Sequence, residues 1–84
     1  MTIGRITRLT EYLCTRYAIV SADVEERRRW RKNLERMCND DLIKADRYAE
    51  LMGELAQIDD ELETLQNEAA FLNEMLETLR AWEI

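Results

Sequence analysis

The sequence predicts an all-α protein, an antiparallel helical hairpin of coiled-coil type expected to dimerise into a helical bundle. Three observations predict it. Apolar residues recur through five consecutive heptads in the second half of the chain. Proline is absent and only two glycines occur in 84 residues, so there are few places to turn. Charge is also divided: residues 1–38 carry nine Lys/Arg against five Asp/Glu, whereas residues 39–84 carry three against thirteen. A fold-back would pair the two halves.

Residues 3–20 read as the first helix. Ile3, Ile6, Leu9, Leu13, Tyr17 and Val20 recur at steps of three and four, with Thr2 placed as N-cap. Asp23 followed by Glu26 forms a capping-box pattern that would start a new helix. Against this, Ile6, Leu13, Val20, Val24, Leu34 and Cys38 keep one frame across the same point. Segments 3–20 and 24–38 are therefore either one continuous helix or two joined at 21–23. Val24, Trp30, Leu34 and Met37 form the apolar side of the second segment. The principal turn falls at Cys38-Asn39-Asp40-Asp41. Asn accepts the left-handed conformation of a helix end there, and Asp caps the helix that follows.

Residues 42–82 form the long helix of a single domain spanning 1–84. Leu51, Ile58, Leu65, Leu72 and Leu79 repeat every seven, and Tyr48, Leu55, Leu62, Ala69 and Leu76 repeat three residues before each. Gly53 falls on the outward side. Such a stripe must be covered in water. A parallel self-pairing would set Glu54 against Asp59, and an antiparallel one would set glutamates against glutamates. The chain's own basic run Arg27, Arg28, Arg29, Arg31, Lys32 and Arg36 is the complementary partner. A hairpin turning at 39–41 pairs residues whose numbers sum to about 80. Arg27 and Arg31 then lie beside Glu54 and Glu50, and Ile3–Leu13 lies opposite residues 67–77. Phe71, Met75 and Trp82 on the long helix, with Tyr12 and Ile19 on the first, widen the apolar face beyond a two-helix seam. These five are the candidate interface with a second copy in a C2 dimer.

Chemistry-bearing residues are scarce. There is no histidine, and Ser21 is the one serine, so most catalytic constellations cannot be assembled. Cys14 and Cys38 would lie ~36 Å apart along one helix, too far to bridge, and read as free, largely buried thiols. Asp40-Asp41 and Asp59-Asp60-Glu61 lack the glycine turn and alternating oxygens of a calcium loop. A hairpin this thin is expected to offer no cleft. No enzyme, metal or cofactor is expected. No apolar run exceeds four residues, and no apolar stretch marks a signal peptide, so a cytoplasmic protein with no membrane partner is expected.

The expected function is a small non-enzymatic protein–protein interaction module, an inhibitor or adaptor that binds and occludes a protein partner. In size and acidity it resembles phage-encoded inhibitors of host machinery. Two surfaces are candidates. One is the acidic outer face of the long helix, with Glu50, Asp60, Glu63, Glu74 and Glu77 beside Asp46; the other is the stretch Arg28, Arg29, Trp30 and Lys32. The alternative is a nucleic-acid-binding module using residues 27–36, with guanidinium groups on phosphates and Trp30 stacked on a base. A basic run ahead of a leucine heptad resembles the basic-zipper factors, and Glu26-Arg27-Arg28-Arg29 resembles the core of the basic helix-loop-helix family. The break at Asn39–Asp41 separates the chain from the first, and the shortness of that turn from the second. A structural assembly subunit is the remaining alternative.

Overall fold

One seam frame runs unbroken through the first half of the chain, and it yields one helix. In the computed structural model, which describes residues 2–82 and the side chains of residues 4–82, α1 spans Thr2–Cys38 and α2 spans Ala45–Trp82. The proposed Thr2 cap and the Ile3 contact rest on side chains outside the described residues. The capping-box signal at Asp23 does not break α1. Val20 and Val24 stand one turn apart on the same side, 1% and 6% exposed, and a break there would uncover both.

The two helices pack side by side as an antiparallel hairpin with extents of 63 × 15 × 14 Å. Its interior consists of two apolar clusters. Near the turn, Val24 and Leu34 meet Leu51, Leu55, Ile58 and Leu62; near the open end, Leu13 and Val20 meet Leu72, Leu76 and Leu79. Leu65 packs against both clusters. Seven of the ten long-helix stripe residues are buried, Leu65 and Ala69 are half-buried, and Tyr48 next to the turn is exposed. Each buried leucine contributes about 1.5–3 kcal/mol by leaving water.

The turn differs from the sequence reading in length and chemistry. The long helix begins at Ala45 rather than 42, because Asp40 holds residues 40–43 in a turn. Its side chain accepts the Leu42 N–H at 3.0 Å and its carbonyl accepts the Ile43 N–H at 3.2 Å. Leu42 is left 90% exposed, while Ile43 packs onto the turn-proximal cluster. Asn39 is not left-handed, for no described residue has a positive φ. Instead α1 ends as its own ladder continues, with Asn39 N–H on the Glu35 carbonyl at 3.1 Å and Asp40 N–H on that of Met37 at 3.4 Å. No Asp caps α2: the Lys44 carbonyl accepts the Tyr48 N–H at 2.9 Å, and Asp46 sits in the first turn, where a negative charge suits the helix dipole.

The seam of α1 corrects several assignments. Its frame runs Ile6, Thr10, Leu13, Tyr17, Val20, Val24, Arg27, Arg31, Leu34 and Cys38, with steps of four and three throughout. Leu9, Trp30 and Met37, read as part of its apolar side, lie instead on its flank, 41%, 54% and 43% exposed. Thr10 takes the seam position beside Leu9, its hydroxyl donating to the Ile6 carbonyl. Cys14, one residue past buried Leu13, is rotated about 100° away from the seam and is exposed, not buried.

Candidate interaction face

Two arginines occupy positions that a hydrophobic seam would fill with leucine. Arg27 and Arg31 stand between Val24 and Leu34, and both are half-buried. Each reaches out of the seam to the opposite helix. Arg27 Nε donates to Glu61 at 3.3 Å, and Arg31 Nε donates to Asp59 at 2.6 Å. Arg31 also bonds Glu35 one turn along its own helix. The hydrogen bond and charge of Asp59, then the charge of Glu35, raise the Arg31 pKa further above its ordinary value, so it stays charged at any working pH. A third link joins the helices at Arg16, whose Nε and Nη2 both lie 3.0 Å from one oxygen of Glu68.

These partners are not the expected ones. Glu50 pairs within its own helix to Arg47 at 2.9 Å, and Glu54 makes no ion pair among the described residues. The residue numbers in the three links sum to 84, 88 and 90 rather than about 80. Two causes add. The turn is longer than 39–41, and side chains lean toward the N-terminus of their own helix. In an antiparallel pair that lean carries α1 side chains toward the open end and α2 side chains toward the turn, so bonded pairs have high-numbered α2 members. By the same shift Leu13 packs with Leu72, Leu76 and Leu79 instead of lying opposite residue 67.

The flanks of the seam differ in character. Cys14, Ser21, Arg28 and Glu35 line one side of α1, with Asp59, Gln66, Asn73 and Arg80 from α2, and this flank is polar. The other flank gathers most of the exposed large apolar residues of both helices, although Met52 lies on the polar side. Leu9 closes a groove of about 340 Å³ with Phe71, Met75, Leu79 and Trp82, and Glu74 and Thr78 line its polar edge. Tyr12 and Ile19 follow Leu9 along the same flank, one turn and three turns on. The five residues singled out for a dimer interface thus share one face: Tyr12, Ile19, Phe71 and Trp82 are 65%, 48%, 60% and 69% exposed, and Met75 is half-buried.

Farther along this face, toward the turn, lies a second and larger groove of about 630 Å³. Trp30 and Asn33 wall it from α1, and Glu54, Gln57 and Glu61 from α2, over the apolar floor of Ile58. Arg27, Arg29 and Glu26 complete its rim. A thin hairpin thus has a groove after all. The paired Arg27 and Glu61 both line it.

The remaining candidates are spread out. Arg28 binds Glu25 on its own helix at 3.4 Å, whereas Arg29 and Lys32 form no ion pair among the described residues. Asp60, Glu63, Glu74 and Glu77 are exposed on the outer side of α2, where Glu77 accepts from the Asn73 amide at 3.4 Å. Asp60 and Glu74 are about 21 Å apart along the helix, so the acidic face is a sparse row, not a cluster. Among the described residues no group of three or more acidic or cysteine side chains is placed to hold a metal, and no helix is long and apolar enough to cross a membrane. The chain matches no protein-family model, no curated protein and no solved structure.

Proposed function

We propose that this chain is a non-enzymatic helical interaction module, an inhibitor or adaptor that docks a protein partner at the Trp30 groove. A half-exposed tryptophan over an apolar floor, with arginine and amide groups on the rim, carries this reading. Trp and Arg in a pocket are the residue types that concentrate binding energy at protein interfaces. Glu26 and Glu54 bring negative charge to the rim and favour a basic segment of the partner. The module acts in the cytoplasm, where the exposed thiol of Cys14 stays reduced. Affinity capture from nuclease-treated native lysate tests the reading. A partner retained by the wild type should be lost with Trp30→Ala and kept with Glu77→Ala. Equal retention by both variants would overturn the assignment of the groove.

One observation favours nucleic acid as a second reading: Arg29, Lys32 and Arg36 point outward from α1 without a carboxylate partner among the described residues. Three such cations match a phosphate-tracking surface. Binding to single-stranded DNA that falls steeply with salt, and is abolished by Arg29→Glu/Lys32→Glu, would support it. No retention at low salt would remove it.

A further inference from the structure

We infer that the open-end half of the apolar face is the contact surface between two copies of this chain, related by a two-fold axis that leaves the two turns at opposite ends. This surface is separate from the Trp30 groove, so either assignment stands or fails without the other. Area, composition and charge point to it. The hairpin exposes 6763 Å² at a mass of 10.0 kDa. A compact chain of that mass exposes roughly 5,200 Å². The excess of about 1,500 Å² exceeds the ~800 Å² that each partner contributes to a standard interface. Large apolar side chains lie together on it, for Leu9, Tyr12 and Ile19 of α1 stand on the same side as Phe71, Met75 and Trp82 of α2, around the Arg16–Glu68 ion pair.

Charge decides which occupant fits. Residues 1–20 and 65–84, the open half, hold four arginines (Arg5, Arg8, Arg16, Arg80) and five glutamates (Glu11, Glu68, Glu74, Glu77, Glu83), for a net charge of −1. Residues 21–64 hold eight Lys/Arg against thirteen Asp/Glu, a net of −5. An isologous contact sets a patch against itself, so it needs a surface that does not repel its own copy. The open half, at −1, comes close to that condition, and the turn half, at −5, does not. Laying two hairpins together in register would stack both acidic halves. An antiparallel overlap confined to the open halves holds them at opposite ends of the particle. The result is a four-helix core of open-end segments about 25 Å long, inside a rod about 100 Å long.

Sedimentation equilibrium and small-angle X-ray scattering on the full chain test this. The expected result is twice the 10.0 kDa chain mass and a longest dimension near 100 Å, well beyond the 63 Å of one hairpin. Phe71→Glu and, separately, Tyr12→Glu should raise the dissociation constant at least about thirty-fold with helical circular dichroism unchanged, because both side chains already face solvent in the single hairpin. Trp30→Ala should leave the mass doubled. A monomer at every concentration overturns the proposal, as does a dimer no longer than one hairpin, or a Phe71→Glu protein that dimerises as the wild type does.

Discussion

At the scale of single residues, the helix positions that face water and those that face the seam obey different rules, and three substitutions separate them. Gly53 is in mid-helix, exposed, with nothing within 4 Å of where a Cβ would stand. Glycine there loses backbone entropy without a steric reason to be present. Gly53→Ala should stabilise the hairpin by about 0.5–1 kcal/mol, read as a higher urea midpoint at unchanged slope. Arg31 is the opposite case, a charged residue at a seam position. Its pairs with Asp59 and Glu35 are solvent-screened and weak, whereas a leucine there would join the cluster of Val24 and Leu34. Arg31→Leu should therefore raise the thermal midpoint by several degrees. A lower midpoint would show that the ion pairs outweigh apolar burial. Asp59→Asn tests the same link from the other side and should cost under about 1 kcal/mol. A raised pKa contributes stability below the arginine range and loses it only as pH climbs through that range, so Arg31 adds no slope to stability between pH 6 and 9.

At the scale of elements, α2 was readable and α1 only in part, for a physical reason. Nine of the ten stripe positions of α2 carry an aliphatic side chain, so apolar spacing and seam coincide. In α1, Thr10, Arg27 and Arg31 occupy seam positions while Leu9, Trp30 and Met37 flank it. Following hydrophobicity alone picks the flank. Carrying the four-three frame of Ile6, Leu13, Val20, Val24 and Leu34 through 27 and 31, whatever stands there, finds both arginines and with them the Trp30 groove. The ion-pair register was not readable, since it depends on the length of the turn and on side-chain lean. Asp40 sets that length. Asp40→Ala removes the bond to the Leu42 N–H and should cost about 1 kcal/mol, measured by denaturant unfolding. Within α2, Leu51 is fully buried and Leu65 only half. Leu51→Ala should cost about 3 kcal/mol and Leu65→Ala about half as much.

At the scale of the whole molecule, one hairpin contains two differently supported halves. The turn-proximal cluster is closed off by the connecting loop, where Ile43 packs onto it, whereas the open-end cluster lies at the far ends of the two helices, away from that loop. Separating the helix ends there exposes Leu13, Leu72, Leu76 and Leu79 without disturbing Leu34 on Leu51. Local opening of this kind costs less than global unfolding, and amides exchange at rates set by that difference. Association through the open-end face adds a concentration-dependent term, because a second copy binds the closed form and not the splayed one. Hydrogen exchange should therefore show protection of residues 5–20 and 68–82 rising with protein concentration, while protection of residues 30–36 and 50–58 stays constant. A ten-fold dilution across the dissociation constant should speed open-half exchange several-fold in the wild type and leave Phe71→Glu unaffected. Uniform change along both helices would mean that the hairpin opens as a single unit, with its two clusters coupled through Leu65 too tightly for one to part without the other.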